Sequence, residues 1–283
     1  MWAWGSNNLG QLGNGTTTNS TDFIRIGTDS DWIAVSAGML HSLALKADGS
    51  LWAWGSNYYG QLGDNTTTDR DIPTRVGADN DWTIIASGST HSFAIKDDGS
   101  LWAWGYNVGD VLGLGTTGEN KLVPIRVGLG NDWAAVTSGV LHSAAIKEDG
   151  SLWTWGSNNQ SQLGNGTSTG LHHTIPTKIP PDEDWTAVKT GAYSTIAQKI
   201  DGSFWAWGGN SSGQLGVGDD PVYNTPTPIG QDDDWIAISV GASRSMAIKD
   251  DGSVWGWGSN DSGLLGDGTT TSSSVPVLIF SGD

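Results

Sequence analysis

Short apolar runs, separated by clusters of Gly, Asn and Asp, fill the chain and predict many β-strands. In one stretch, residues 32–36, 41–46, 51–55 and 72–76 each form such a run. Trp, Val, Ile and Thr favour the pleated surface of a sheet, and turn-forming residues bound each run. We therefore expect a sheet of four short antiparallel strands in this stretch, and the same pattern recurs along the whole chain.

The segment Trp52-Ala53-Trp54-Gly55 sets the period of this pattern. Its copies begin about 50 residues apart, which indicates an internal repeat, at Trp2, Trp52, Trp102, Trp153, Trp205 and Trp255. A second tryptophan follows an Asp and precedes the next copy by 20 residues in every case, as Trp32 precedes Trp52. All length variation lies in the other part of the unit. The constant part predicts paired strands of fixed register, and the variable part predicts a surface loop.

Turns and tryptophans refine the predicted unit. The dipeptide Asp48-Gly49 lies between two strand runs and predicts a type I′ hairpin turn, in which both central residues take positive φ. Trp52 and Trp54 are two residues apart, so their rings should project from one face of the sheet. We expect the indole rings of successive sheets to pack against each other. Pro73 predicts an outer edge strand, because proline cannot donate to a ladder on both sides.

Composition narrows the function classes. The chain of 283 residues has no Cys, which excludes a disulfide framework and thiolate chemistry. Its net charge of −17 disfavours nucleic acid and membrane surfaces as partners. No run approaches the roughly 18 apolar residues of a membrane span, and no signal segment opens the chain. Acidic, Asn/Thr/Ser-rich loops favour a secreted or cell-surface location, which the sequence otherwise leaves unknown.

The repeated motif is Gly-x-x-His-Ser-x-Ala-Leu/Ile-Lys-x-Asp-Gly-Ser-Leu-Trp-x-Trp-Gly-x-Asn-x-x-Gly-Gln-Leu-Gly. It resembles the repeat of the regulator of chromosome condensation family, over essentially the whole chain, and we expect a bacterial-type member. The resemblance implies a β-propeller, usually of seven blades. Eukaryotic members act as guanine-nucleotide exchange factors and chromatin binders, and a bacterial member inhibits β-lactamase through aromatic residues on its turns. Only Tyr193 matches those aromatics, and Ser194 and Arg244 depart from the motif histidine.

The predicted fold is an all-β propeller of four-stranded antiparallel blades with about 50 residues per blade. We expect one propeller domain over 1–283, with five full blades and one half blade. The half blade is 1–30, and the blades are 31–80, 81–131, 132–183, 184–233 and 234–283. The first unit lacks its inner strands, so we expect a segment of a longer propeller. An open arc and closure by a second chain remain alternatives, and an open edge should self-associate.

The candidate binding site consists of the turns between the first and second strands of each blade. These turns differ from blade to blade on a constant scaffold, and a diverse, partly apolar face is how repeat proteins bind partners. Drift at a tolerant turn is the alternative. We expect a protein or glycan partner of unknown identity and no cofactor. The predicted partner-binding residues are Met39, Leu40, Ser89, Thr90, Val140, Leu141, Tyr193, Ser243 and Arg244.

Repeated polar residues have structural interpretations. We expect structural roles for Trp52, Trp54, Trp102 and Trp104, and for His41, His91 and His142, which should bond near strand starts instead of sharing a metal. The pair His172-His173 should be a solvated loop pair. Acidic clusters should cap strands instead of binding Ca²⁺, namely Asp29/Asp31, Asp79/Asp81, Asp182/Glu183/Asp184 and Asp232/Asp233/Asp234.

The sequence offers no catalytic residue and no metal site. It has no phosphate-binding Gly-x-x-x-x-Gly-Lys loop. The predicted function is therefore a non-enzymatic binding scaffold. The alternative is a carboxylate-dependent glycan hydrolase or lyase, which would need two Asp or Glu side chains converging in a cleft.

Overall fold

The computed structural model describes residues 1–167, 170, 172–180 and 184–282. These residues form 22 β-strands, and none of them lies in a helix. It follows that the described part of the chain offers no helix that could cross a membrane. The chain divides into two compact units, Met1–Ser138 and Gly139–Asp283.

The strands form six sheets. The first has two strands, β1 (Trp2–Gly5) and β2 (Ser20–Arg25). The second has four, β3 (Trp32–Ala37), β4 (His41–Lys46), β5 (Leu51–Gly55) and β6 (Arg70–Arg75). The third has β7 (Trp82–Ser87), β8 (His91–Lys96), β9 (Leu101–Gly105) and β10 (Lys121–Arg126).

The remaining sheets repeat this order. The fourth has β11 (Trp133–Ser138), β12 (His142–Lys147), β13 (Leu152–Gly156) and β14 (His173–Lys178). The fifth has β15 (Trp185–Thr190), β16 (Ser194–Lys199), β17 (Phe204–Gly209) and β18 (Val222–Pro228). The sixth has β19 (Trp235–Val240), β20 (Arg244–Lys249), β21 (Val254–Gly258) and β22 (Ser273–Phe280).

The four strands predicted for the second sheet are confirmed, and their ends differ from the prediction by at most two residues. β4 and β5 match the predicted runs, β3 extends one residue further, and β6 begins at Arg70 instead of Ile72. β6 lies at the outer edge of its sheet, as predicted from Pro73. An edge strand has a neighbour on one side only and therefore tolerates a proline, which has no amide proton to donate.

The turn between β4 and β5 differs from the predicted type I′ turn. Gly49 takes φ +76°, whereas Asp48 is not in the left-handed region. The amide of Gly49 donates to the Lys46 carbonyl at 2.9 Å, and the amide of Lys46 donates to the Ser50 carbonyl at 3.1 Å. This is a three-residue hairpin loop with a left-handed glycine. The Asp48 carboxylate instead accepts bonds from the Ser50 hydroxyl and amide, which lower the pKa of Asp48.

Tryptophans build the core, but between the second and third sheets their neighbours are not the indole rings that we expected from the sequence. Within the second sheet, Trp32 and Trp52 meet edge to face, with ring centroids 5.9 Å apart. Between the second and third sheets the partners are aliphatic, since Trp82 and Trp104 pack in one cluster with Leu residues of the second sheet, including Leu43. Between the fifth and sixth sheets an aromatic pair makes the contact: Phe204 stacks on Trp235 with ring centroids 5.9 Å apart. Between the second and third sheets, indole–aliphatic packing thus replaces the predicted indole–indole packing, whereas within the second sheet Trp32 contacts both Trp52 and Trp54.

The outer loop of one sheet closes over the tryptophan of the next. Trp54 is 2% exposed, and its Nε1 donates to the Gln11 carbonyl at 2.9 Å. A Cβ on Gly13 would lie 2.7 Å from that nitrogen, so only glycine fits there. Trp104 repeats the bond to the Gln61 carbonyl at 2.9 Å. Buried backbone carbonyls thus satisfy indole donors from one sheet to the next.

Candidate functional site

In the second sheet, the turn before β4 and the loop after β5 lie at the same end of the sheet. His41 pairs with Gly55 in the antiparallel ladder, and the Ser56 amide donates to the Leu40 carbonyl at 2.8 Å. In the third sheet, the Tyr106 amide likewise donates to the Thr90 carbonyl at 3.0 Å. We call this end of the first unit the turn edge, which consists of residues 38–40, 56–60, 88–90 and 106–109.

At the turn edge, the structure brings two of the predicted turns together. Met39 is 64% exposed, and Leu40, Ser89 and Thr90 are half-buried. The Ser89 hydroxyl lies 3.7 Å from the Met39 sulfur and donates to it. Neighbouring sheets therefore present their predicted partner-binding residues side by side.

Three tyrosines at the turn edge were missed by sequence reasoning. Tyr58 is 73% exposed, and its ring centroid lies 4.9 Å from that of Tyr59. Tyr59 in turn lies 4.7 Å from Tyr106. The signal was present: these residues follow Trp-x-Trp-Gly, and antiparallel pairing of that strand with the His-Ser strand places them beside the turns.

The second unit places its predicted residues differently. Tyr193 is 44% exposed, while Val140, Leu141, Ser243 and Arg244 are half-buried. Tyr193 borders a cavity of about 450 Å³, and that cavity is lined by Asn159, Gln160, Tyr193, Gly209, Ser211 and Gln214. Of the predicted residues, Tyr193 alone lines this cavity. An aromatic ring beside amide and hydroxyl groups suits a polar ligand.

The motif histidines bond to hydroxyl groups of the neighbouring sheet. His41 Nε2 lies 3.0 Å from Ser92 Oγ, and that hydroxyl donates to the Gln61 carbonyl at 2.7 Å. Since its proton is used there, Ser92 Oγ accepts from the Nε2–H of His41. Burial lowers the pKa of His41 to about 4, so the ring is neutral at pH 7.

The other two histidines follow the same arrangement. His142 Nε2 lies 3.0 Å from Thr195 Oγ1, and burial lowers the pKa of His142 to about 3. His91 contacts the Ser138 hydroxyl. Each histidine bonds to a different hydroxyl group, and over the described ranges no group of three His, Asp or Glu side chains could hold a metal.

The acidic clusters before each Asp-Trp position surround lysines. Lys46 Nζ lies 2.5 Å from Asp29 and 3.3 Å from Asp31, and 4.8 Å from the centroid of the Trp32 ring. The hydrogen bond to Asp29 chiefly raises the pKa of Lys46. Lys96 and Lys249 have equivalent acidic partners. The clusters therefore neutralise a lysine that stacks on indole rings. Asp182 and Glu183 lie outside the described residues.

The prediction for His173 is wrong. His173 begins β14 and is half-buried. Its Nε2 lies 3.0 Å from Asn165 Nδ2, and its Nδ1 lies 3.1 Å from Thr177 Oγ1. The outer strand begins earlier than the sequence pattern suggests, so one member of the predicted solvated pair is part of the sheet. His172 is exposed.

A second polar cavity of the second unit contains two carboxylates. Its volume is about 420 Å³, and its lining is Asn210, Ser211, Ser212, Gly213, Asp219, Ser259, Asp261, Ser272, Ser273 and Ser274. The Ser274 hydroxyl donates to Asp219 at 2.5 Å. This cavity is therefore a candidate for the cleft with two carboxylates that the alternative enzyme function requires.

Comparison with known repeats decides the family. The model described as "Regulator of chromosome condensation (RCC1) repeat" matches residues 1–45, 48–95, 98–146, 149–198, 201–248 and 251–283. A second RCC1 repeat model matches 32–61, 133–162 and 235–264. The chain belongs to the RCC1 repeat family. This confirms the family predicted from the motif, while its bacterial type stays a prediction.

Relatives of this RCC1-repeat chain are similar to it over part of their length. The Caenorhabditis elegans protein "X-linked retinitis pigmentosa GTPase regulator homolog" is 40% identical over 83 residues, which cover 29% of this chain and 6% of that protein. The Arabidopsis thaliana "Ultraviolet-B receptor UVR8" is 30% identical over 103 residues, which cover 36% of this chain and 23% of that protein. The matches thus span less than a quarter of these two relatives.

A solved structure shows the same fold. That of human WBSCR16 aligns with 99% of this chain and 76% of its own chain, with a TM-score of 0.86 and 23% identity. A chain from the structure of Kap60 bound to yeast RCC1 (Prp20) aligns with 99% of this chain and 83% of its own length, with a TM-score of 0.72 and 18% identity. The sheets are blades of an all-β propeller, as predicted.

Proposed function

We propose that this RCC1-repeat propeller is a non-enzymatic scaffold that binds a protein partner through the turn edge. The observation that carries the proposal is the exposure of two large side chains at the turn edge, Met39 at 64% and Tyr58 at 73%. No residue of the turn edge carries a charge. Exposed apolar and aromatic residues on a rigid support are typical of protein-binding surfaces.

The scaffold beneath this surface supports the proposal. Trp54 and His41 are buried, and hydrogen bonds join His41 to Ser92 of the neighbouring sheet. A surface held this way loses little conformational entropy on binding. Within the family, yeast RCC1 (Prp20) is known with Kap60 bound, which supports a protein partner of unknown identity here. The expectation that nucleic acid and membranes are not partners rests on net charge and stays a prediction.

The experiment is a protein-array screen followed by affinity measurement on each binder identified. We expect the double variant Met39→Ser/Tyr58→Ser to weaken binding at least about 10-fold, since interface aromatics often contribute 2 kcal/mol or more. The matched control is Leu129→Ser, which removes a side chain that is 90% exposed after the far end of β10. Equal losses in both variants would show that the turn edge is not the binding surface.

Glycan recognition is a second candidate, favoured by the cavity beside Tyr193. Its amides and hydroxyls can pair with sugar hydroxyls while the ring packs on a sugar face. On a glycan array, we expect Tyr193→Ala to abolish binding and Tyr193→Phe to retain most of it. Glycan binding that is retained in Tyr193→Ala would show that the glycan site is not the cavity beside Tyr193.

The carboxylate-dependent enzyme remains the alternative function, favoured by the cavity shared by Asp219 and Asp261. Two carboxylates about 5 to 10 Å apart can act as acid and base, or as acid and nucleophile, on a glycosidic bond. Release of reducing sugar from a glycan panel, lost in Asp261→Asn, would establish it. If no glycan releases reducing sugar, the enzyme function is contradicted and the binding scaffold remains the proposed function.

A further inference from the structure

A third cavity of the second unit, with a volume of about 280 Å³, lies between the segments that flank β14 and the tryptophans of the fifth sheet. Trp185 begins β15, Trp205 lies in β17, and Thr225 lies in the outer strand β18. The lining includes Asn165, Pro180, Trp185, Trp205, Thr225 and Pro226. None of these six residues lines the cavity beside Tyr193, so the two cavities are separate sites.

Two residues of this lining depart from the repeat. Like Thr225, the equivalent residue of every other four-stranded sheet directly precedes a proline, but it is Ile or Val, namely Ile72, Val123, Ile175 and Val275. Pro180 stands where four other units have a glycine with φ between +62° and +66°, namely Gly27, Gly77, Gly128 and Gly230. Proline cannot adopt a positive φ, so the chain leaves β14 by a different path. The two departures coincide at one cavity, as expected for a site that these sheets carry in addition to the repeat.

Threonine at position 225 removes apolar bulk and adds a hydroxyl group. A Cβ on Gly166 would lie 3.8 Å from Thr225 Cγ2, and a Cβ on the equivalent Gly15 would lie 3.6 Å from Ile72 Cγ2. The two side chains are therefore placed alike, and the Cδ1 of Ile72 has no counterpart in Thr225. Thr225 is exposed, and no described residue bonds to its hydroxyl. This hydroxyl is therefore available to a ligand.

Rings form most of the remaining wall. Trp185 and Trp205 meet edge to face with centroids 6.4 Å apart, and the rings of Pro180 and Pro226 lie beside them in the lining. Aromatic rings favour edge or offset contacts with a further ring. A closed cavity of roughly 150 Å³ holds one benzene ring, so a volume of about 280 Å³ holds a fused bicyclic ring.

The charges around the cavity favour a neutral ligand. Lys199 Nζ already lies 5.1 and 4.7 Å from the centroids of the Trp185 and Trp205 rings, so it would repel a ligand cation. None of the described residues in the lining is charged. A ligand carboxylate would therefore lose its hydration without gaining a charged partner.

Hydrogen bonding disfavours a sugar in this cavity. Asn165 Oδ1 accepts from the amide and the hydroxyl of Thr167 at 3.1 and 2.6 Å, and Asn165 Nδ2 lies 3.0 Å from His173 Nε2. Of the described side chains in the lining, Thr225 alone has an accessible polar group without a partner. A sugar would bury several hydroxyl groups beside this single one, and each unpaired hydroxyl is costly.

We propose that this cavity binds a neutral aromatic ring of indole size, which packs against Trp205 and the two prolines and donates its N–H to the Thr225 hydroxyl. The ring can belong to a free small molecule or to a tryptophan side chain of a peptide, because the cavity offers the same contacts to both.

Calorimetric titration of the full chain with indole tests the site, and we expect saturable binding of one indole per chain. Thr225→Ile should weaken this binding at least about 10-fold, because the added carbon fills the cavity. Isoleucine occupies the same position in two other sheets, so the fold should be retained, which thermal unfolding checks. The matched control is Val275→Ile, which enlarges the equivalent residue of the sixth sheet and should leave indole binding unchanged.

The hydroxyl and the ligand chemistry are tested separately. Thr225→Val keeps the shape of the side chain and removes its hydroxyl, so it should weaken indole binding about 2- to 10-fold. Tryptamine, which adds a cation, and methyl α-glucoside should both bind more weakly than indole.

N-acetyltryptophanamide distinguishes the two sources of the ring. An affinity similar to that of indole would support a peptide side chain, and a much lower affinity would support a free small molecule. The proposal is overturned by an absence of saturable indole binding, by unchanged affinity in either Thr225 variant, or by glucoside binding as tight as that of indole.

Discussion

The first and second sheets carry the same Trp-Ala-Trp-Gly strand and bury it differently. Trp4 in β1 is 57% exposed, and Trp54 in β5 is 2% exposed. Trp54 has β4 on one side and the Gln11 carbonyl above its Nε1. Trp4 instead packs on Phe23 of its own sheet, at 4.5 Å between ring centroids. Burial of the motif therefore comes from the inner hairpin and the preceding outer loop, as expected where repeats share one core.

The largest test of this comparison removes the same indole from both sheets. We expect Trp54→Ala to lower the free energy of unfolding by about 3 to 5 kcal/mol, because it leaves a cavity and removes one of the two hydrogen bonds that the Gln11 carbonyl accepts. Trp4→Ala should cost less than about 1 kcal/mol, since solvent already covers most of the ring. Urea denaturation measures both. Similar losses would show that the strand, not its surroundings, determines burial.

Much of the blade could be predicted from sequence, because its signals are local and repeated. The constant spacing from Trp32 to Trp52 fixed the inner strands within about a residue, as expected from strand register. The hairpin turn at Asp48-Gly49 was predicted correctly in place but not in type, because the side-chain bonds from Ser50 to Asp48 cannot be recognised in the Asp-Gly pattern. His173 was missed because a variable loop precedes its strand.

The candidate site was predictable in part. The turns bearing Met39 and Ser89 were found by their diversity, and the structure brings them into contact. Tyr58, Tyr59 and Tyr106 belong to another segment, and only strand pairing places them at the same edge. The cavity beside Tyr193 is also lined by Asn159 and Gln160, 34 and 33 positions earlier in the chain, and by residues 16 to 21 positions later. No local pattern specifies such a shape.

A second test compares Gly49, in the turn between β4 and β5, with Gly77, which follows the outer strand β6 as Gly27 follows β2. Gly49 takes φ +76°, and a Cβ there would lie 2.1 Å from the Asn80 carbonyl oxygen. Gly77 takes φ +65°, with nothing within 4 Å, and Gly27 repeats this conformation in the first sheet. Alanine adds left-handed strain of about 1 to 2 kcal/mol at both positions, and a backbone clash only at Gly49.

We therefore expect Gly49→Ala to destabilise the chain by about 2 to 4 kcal/mol and Gly77→Ala by about 1 to 2 kcal/mol. Thermal and urea unfolding of the two variants provide the measurement. Equal losses in the free energy of unfolding would mean that the close approach of the Gly49 turn to the neighbouring sheet does not contribute to stability. The inner and outer halves of the blade would then differ less in stability than their contacts indicate.

The smallest expected effect is a loss of stability at acidic pH. It comes from the histidine of an inner hairpin, and the first sheet has no histidine. The folded pKa of His41 is about 4, below the unfolded value of about 6.5. As pH falls, the unfolded state binds the proton first, so stability present above pH 6.5 is lost between 6.5 and about 4. From pH 7 to pH 5, His41 alone should lower the free energy of unfolding by about 2 kcal/mol.

This window lies above the range in which carboxylates such as Asp48 titrate, because the pKa of Asp48 is lowered. Urea midpoints measured from pH 7 to pH 5 should therefore fall less steeply in His41→Gln than in the unmodified chain. His172→Gln, at an exposed position, controls for the loss of one histidine. A slope that is unchanged in His41→Gln would mean that this buried imidazole accepts its proton without unfolding the blade.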